Sequence, residues 1–438
     1  MRMSVIGTGY LGATHAACMA ELGHEVIGVD VDENKIAQLS AGEVPFFEPG
    51  LQEILSRTID AGRLRFSTDY ADAAQAHVHF LGVGTPQQRG AYAADLTYVR
   101  GAISRLVPLL HGEHLILGKS TVPVGTAAEL QQLADSLANE DATVEIAWNP
   151  EFLRESHGVE DTIHPDRIVL GVRDGSQAEE IVREVYATQL KEGIPFLVTN
   201  RETAELVKVA ANSFLATKIS FINAVAELCE VSGADVVALA EAIGYDDRIG
   251  RKFLGAGLGF GGGCLPKDIR AFMARAGELG ADQALSFLRE VDRINMRQRD
   301  RVVHLAKREF GGSLLGTRIT VLGAAFKPNS DDVRDSPALN VAGQLSLAGA
   351  AVTVCDPKAM DNARKVFPTL NYVGDVEEAL AGAELVILAT EWQEFRNLDP
   401  VVVGEVVAQC RMIDARNVLD ADAWQRAGWS VTALGRSL

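Results

Sequence analysis

Residues 3–12 constrain the fold most. A short apolar run, Met3-Ser4-Val5-Ile6, ends in Gly7-Thr8-Gly9-Tyr10-Leu11-Gly12, and a small-residue stretch over 13–22 follows. This reads as strand, tight glycine turn and helix, with the next apolar strand at 25–30 closing on Asp30, 18 residues past the last glycine. A lone GxGxxG is weak, but in this strand–turn–helix setting it marks a dinucleotide site. The glycines let the backbone come close to a pyrophosphate, whose charge the helix N-terminus favours. Asp30 would accept from the adenosine ribose hydroxyls and repel a 2′-phosphate, which favours NAD over NADP. An ordinary βαβ turn without a ligand is the alternative.

A chain of 438 residues, 47% hydrophobic, has room for two or three domains with proper cores. Its net charge of −18 argues against nucleic acid as a partner. The N-terminus runs straight into a strand, so no signal peptide is expected, and no uninterrupted apolar run reaches membrane-spanning length. Five scattered cysteines (18, 229, 264, 355 and 410) lack metal-ligand spacing. No metal is implied, and a soluble, cytoplasmic protein is expected.

Further strands are read at 77–83, 115–118, 144–148 and 167–172. Gly84-Thr85-Pro86, Lys119-Ser120-Thr121-Val122-Pro123 and Asn149-Pro150-Glu151-Phe152-Leu153-Arg154-Glu155 follow the first three. Polar residues massed after successive strands suit ligand binding at the carboxyl edge of a parallel sheet. The first domain is expected to end near 195. Helical spacing then dominates, over 202–232, 235–243 and 271 to about 310. Lys208 and Asn212 share one helical face; a solvated lysine beside an incidental asparagine is the other reading. A second alternating block has strands at 318–322, 351–356, 384–390 and 411–414. The polar run from Lys327 to Pro337 follows its first strand, and a plain surface loop remains open there.

The middle segment holds Gly255-Ala256-Gly257-Leu258-Gly259-Phe260-Gly261-Gly262-Gly263-Cys264-Leu265-Pro266-Lys267-Asp268. Six glycines in nine residues exclude a helix or strand interior and suit a loop that bends through positive φ and approaches something closely, such as a ligand. A thiol at a helix N-terminus beside a lysine is placed to act as a nucleophile. A flexible loop with an incidental small hydrophobe is the competing reading.

Together, residues 7–12, 119–123, 149–155, 259–268, 325–327 and 334–337 resemble the UDP-glucose/GDP-mannose dehydrogenase family over nearly the whole length. The resemblance implies an α/β protein of two Rossmann-like doubly wound domains joined by a central helical dimerisation region. The NAD-binding domain would span 1–195, the helical domain with the cysteine loop 196–312, and the UDP-sugar-binding domain 313–438. It implies two successive NAD-dependent oxidations of a sugar C6 alcohol to a carboxylate through a thiohemiacetal and thioester on Cys264. UDP-glucose is the implied substrate, GDP-mannose the competitor, and a homodimer or higher homo-oligomer the implied assembly.

The resemblance also assigns roles. Lys208 and Asn212 would stabilise the oxyanion, Thr121 and Asp268 would hold a water for alcohol deprotonation, and Glu151 would serve as acid/base in thioester hydrolysis. Gly7, Gly9, Tyr10, Leu11, Gly12, Asp30, Lys35, Thr85, Pro86, Thr121, Glu155, Lys267 and Arg334 would meet the cofactor. Substrate contacts would come from Glu151, Phe152, Leu153, Arg154, Glu155, Lys208, Asn212, Phe253, Leu254, Gly257, Phe260, Gly261, Phe326 and Lys327. Arg248 would reach a neighbouring subunit's substrate. At Gly255 many relatives carry a larger residue. A fold kept as a regulatory scaffold, or an enzyme that releases aldehyde, would not need Cys264.

Overall fold

The structure is a computed structural model that describes residues 1–437. It divides into two compact units, Met1–Ala211 with Arg270–Gly280, and Asn212–Ile269 with Ala281–Leu438.

The first unit is built on eight strands: β1 (Arg2–Ile6), β2 (Glu25–Val29), β3 (Leu64–Ser67), β4 (Val78–Leu81), β5 (Gly112–Gly118), β6 (Ala142–Trp148), β7 (Ile168–Val172) and β8 (Phe196–Asn200). They lie in the order β3-β2-β1-β4-β5-β6-β7-β8, parallel except where β7 runs against β6. Alternate side chains of one strand enter different cores. Met3 and Val5 pack with Phe80, Leu115 and Leu117, whereas Ile6 packs with Leu81, Ile116 and Ile146. Both faces are therefore covered, as a parallel sheet requires, and each large apolar side chain so buried contributes about 1.5–3 kcal/mol.

The second unit has six parallel strands: β9 (Arg318–Leu322), β10 (Ala351–Cys355), β11 (Asn371–Tyr372), β12 (Leu385–Leu388), β13 (Arg411–Asp414) and β14 (Ser430–Ala433). Their order is β11-β10-β9-β12-β13-β14. Six strands of each sheet thus share the 3-2-1-4-5-6 order of dinucleotide folds. A large core, including Val321, Leu339, Ile387 and Ile413, is built around this sheet, and a smaller one with Ile222 and Val236 lies in the same unit.

Helices Arg201–Ser232, Val236–Gly244, Leu265–Glu278 and Phe287–Glu309 make up the middle of the chain. The continuous helix expected over 271–310 is broken at Gly280, whose φ of +74° ends one helix before the next begins. Helix Arg201–Ser232 has the length and apolarity to cross a membrane, and 44% of its most apolar stretch is buried in the fold. Among the described residues no disulfide joins the cysteines, and no His/Cys/Asp/Glu cluster could hold a metal.

Candidate active site

The turn after β1 is shaped by contact. A Cβ at Gly12 would lie 1.8 Å from the Gly7 carbonyl oxygen, so the helix can start this close to the strand only without a side chain there. A Cβ at Gly9 would meet no protein atom within 4 Å. Packing does not demand that glycine, and the open space beside it suits close approach by a ligand. Helix Tyr10–Glu21 begins at Gly9 with no side-chain cap, leaving N–H groups for an anion. The turn fits an NAD pyrophosphate on both counts. Asp30 accepts from Thr8 N at 2.8 Å, Thr8 Oγ1 at 3.2 Å, Asp32 N at 3.1 Å and Lys35 Nζ at 2.9 Å. Burial opposes its charge, but Lys35 and these N–H groups outweigh it and hold the carboxyl below its ordinary range. The aspartate thus organises the turn, and ribose hydroxyls would share its oxygens with Lys35.

Other expected residues of the first unit gather at the ends of β4, β5 and β6. Thr85 Oγ1 donates to the Thr121 carbonyl at 2.7 Å, joining two strand ends, and Pro86 O accepts from Asp95 N. Lys208 Nζ lies 2.9 Å from Glu151 Oε1, both side chains mostly buried at 7% and 13% exposure. Phe152 stacks beneath the Arg167 guanidinium, 3.9 Å from the ring centre, and Lys208 approaches the same ring. Glu151 Oε2 accepts from Leu153 N at 2.7 Å, which curls the segment. Arg154 pairs with Asp161 at 2.6 Å. Leu11, Lys119, Glu151, Phe152 and Leu153 line one cavity of about 50 Å³. Tyr10 Oη donates to Glu48, which also receives Ser156 N and Gly158 N and so fixes the end of the segment that holds Glu155.

The cysteine loop lies in the second unit. Gly259 and Gly262 have φ of +90° and +85°. The close approach expected of this loop is made to its own chain: a Cβ at Gly261 would stand 2.4 Å from the Asp335 carbonyl oxygen, and one at Gly262 would strike the Phe326 ring at 2.9 Å. Asn223 Oδ1 takes the Gly257 N–H at 2.8 Å, and Asn295 holds both backbone groups of Phe260 at 2.8 and 2.9 Å. Cys264 is exposed and directly precedes helix Leu265–Glu278. One turn on, Asp268 is 1% exposed. Its Oδ2 accepts from Asn212 Nδ2 at 2.7 Å and its Oδ1 lies 3.0 Å from Lys267 Nζ. The arrangement sets an exposed thiol at the helix start and, one turn on, a buried carboxylate with its own amide donor.

Three family models match the chain in order. They are the UDP-glucose/GDP-mannose dehydrogenase NAD binding domain over residues 1–190, the central domain over 202–297 and the UDP binding domain over 320–421. The chain belongs to the UDP-glucose/GDP-mannose dehydrogenase family. It is 42% identical over 439 residues to the UDP-glucose 6-dehydrogenase of Rhizobium meliloti (strain 1021), covering 100% of both chains. It is 38% identical to UDP-glucose 6-dehydrogenase TuaD of Bacillus subtilis (strain 168), over 99% of this chain and 93% of that one. The UDP-glucose dehydrogenase structure from the hyperthermophilic archaeon Pyrobaculum islandicum matches with a TM-score of 0.89 at 39% identity, covering 98% of each chain. As a UDP-glucose/GDP-mannose dehydrogenase, the protein is an NAD-using oxidoreductase.

Other expected contacts of this dehydrogenase are placed differently. Leu254 is 2% exposed in a small core with Ile222 and Val236, so its side chain is packed into the fold. Phe253 holds a positive φ of 65°, and Arg248, 89% exposed at its side chain, pairs with Asp246 at 2.7 Å. Lys327 leans over the Phe326 ring, and Arg334 pairs with Asp332 at 2.7 Å. A Cβ at Gly255 would meet nothing within 4 Å, so a larger residue would fit here. Sequence reasoning named Lys119 within a motif but gave it no role, and it passed over Glu48 and Glu205. Glu205 accepts from Gly125 N at 2.7 Å and Ala127 N at 2.6 Å, capping helix Thr126–Leu137 from a distant segment, and burial pushes its carboxyl up to about 7. Nothing in local spacing announces a cap that comes from 78 residues away.

Proposed function

We propose that the protein oxidises UDP-glucose to UDP-glucuronate with two NAD⁺ in succession, as a UDP-glucose 6-dehydrogenase. The observation that carries the reading is Cys264, exposed at a helix start, with Asp268 one turn on and held by Asn212. An alcohol dehydrogenase that stops at the aldehyde needs no such thiol. Bound at the turn after β1, NAD⁺ supplies the acceptor for hydride from the sugar C6 carbon.

Thr121 and Asp268 hold the water that takes the alcohol proton. The Cys264 thiolate adds to the resulting aldehyde, forming a carbon–sulfur bond and a tetrahedral alkoxide. Lys208 and Asn212 stabilise that alkoxide, charge that is absent from the ground state. Loss of a second hydride leaves a thioester. Glu151 then helps a water attack, and the carbon–sulfur bond breaks to release carboxylate and thiol. The Lys208–Glu151 ion pair supports these two assignments, because each group has a partner before substrate arrives.

The division at 1–195, 196–312 and 313–438 belongs to this reading, as do a cytoplasmic location and a homodimer or higher homo-oligomer. Phe214, Phe221 and Leu228, seven residues apart on helix Arg201–Ser232 and 66%, 54% and 64% exposed, support self-association.

The test is NADH yield per UDP-glucose consumed, with nucleotide sugar limiting. Two NADH are expected. One would mean release of aldehyde, and turnover restricted to GDP-mannose would move the enzyme to the other branch of the family.

A further inference from the structure

Lys119 follows β5 directly and is 7% exposed. Its ammonium donates to three neutral oxygens: Asn149 Oδ1 at 2.9 Å, the Asn149 carbonyl at 3.4 Å and Tyr186 Oη at 3.2 Å. Asn149 completes the arrangement. Its Oδ1 also accepts from Tyr186 Oη at 2.7 Å, and its Nδ2 donates to the Val169 carbonyl at 2.8 Å. The Phe80 and Tyr186 rings stand 5.5 and 5.8 Å from the ammonium.

A buried cation held only by neutral oxygens is an expensive way to fasten two strands. Burial accordingly pulls the Lys119 pKa down to about 8, Glu151 raising it and Lys208 lowering it. The charged or titratable groups that face Lys119 are Glu151 after β6, Lys208 on helix Arg201–Ser232, Tyr186, and His15 on helix Tyr10–Glu21. Burial keeps His15 neutral and well below its ordinary value, and burial pushes the Tyr186 phenol up, so neither adds charge. Lys119, Glu151, His15 and Tyr186 line the same cavity, with Asp161, Asp166 and Arg167 also on its wall. The linear spacing reinforces the geometry. Lys119 stands two residues before Thr121, and Asn149 stands two residues before Glu151.

We propose that Lys119 is a positioning residue for Glu151: it fastens the end of β6, and Glu151 just beyond it, to the end of β5 and adds its buried positive charge to that of Lys208 around the cavity that Glu151 lines. The role rests on the functional reading above, in which Glu151 works as acid and base. Lys119 keeps its proton below about pH 8, so its field acts on the acid side of the profile and fades above that pH.

The experiment is the pH profile of kcat for the full-length enzyme with UDP-glucose and NAD⁺. In Lys119→Met the acid limb should move up by about 0.5–1 pH unit, because removal of a nearby cation disfavours a carboxylate. On the steep part of the acid limb kcat should fall about three- to tenfold, with both KM values held within about twofold. Should that variant not fold, Asn149→Asp keeps the shape and sets a carboxylate against the ammonium; the same upward move is expected. A folded variant with a lowered Tm and an unmoved limb would make Lys119 a structural fastener and overturn the proposal. Wild-type enzyme that fails to oxidise UDP-glucose would instead bring down the functional reading, and this role with it.

Discussion

The turn after β1 and the turn after β9 begin alike and end differently. In each, a glycine at positive φ (89° at Gly7, 121° at Gly323) follows the strand. Each donates its N–H at 2.7 Å to the end of the next strand, at Val29 or Cys355. In each, an aspartate after that second strand accepts N–H groups of the turn: Thr8 to Asp30, and Ala324 with Ala325 to Asp356. There the likeness stops. The first turn enters a helix at once, at Tyr10, with no side-chain cap. The second wanders until Pro337, and Ser336 Oγ accepts from Leu339 N to cap the helix from within. One helix start keeps its donors for a ligand; the other consumes one of them and fills its N1 position with proline. Strand order decides where a nucleotide can approach, and the cap decides whether the helix end receives it.

Three substitutions probe that difference, taken from the largest expected effect on stability to the smallest. Gly12→Ala drives a Cβ into the Gly7 carbonyl, backbone against backbone, and should lower unfolding stability by more than about 3 kcal/mol in urea titrations. A loss under about 1 kcal/mol would show that close packing is not what this turn requires. Ser336→Ala removes the internal cap and should cost about 1 kcal/mol while NAD⁺ affinity stays put; weakened NAD⁺ binding would erase the contrast between the turns. Gly9→Ala should leave stability within about 0.5 kcal/mol, since lost cap preference and gained backbone restriction offset each other. Its dissociation constant for NAD⁺ should nevertheless rise at least about tenfold by calorimetry, an energy of about 1.4 kcal/mol. Unchanged affinity would mean that the open space at Gly9 is not where the pyrophosphate sits.

The sequence was legible in proportion to burial. Ten strands were expected and ten are present, all of them inner strands of the two sheets. The four that were passed over, β3, β8, β11 and β14, are the four sheet edges. Phe196, Leu197 and Val198 of β8 are partly to half exposed, and β11 is two residues long, so neither shows the unbroken apolar run that marks a central parallel strand. Helix 271–310 was read through its break because no proline marks it and Gly280 is the one residue whose positive φ ends the first helix. At the site, motif residues were found where they lie close in sequence, as in 149–155. Glu205 and the Lys119–Asn149–Tyr186 triangle were not, because their bonds join segments 30 to 80 residues apart. Long-range polar pairing leaves no periodic trace.

The glycine-rich segment ahead of Cys264 has one more consequence. Its composition suggests the loosest stretch of the chain, yet the backbone at Gly261 and the ring at Gly262 exclude even a methyl group. For evolution this stretch is a lock rather than a hinge. Change can enter at Gly255, where the space is open, and is barred a few residues on, so the nucleophile's carrier can vary at its base while its tip stays fixed.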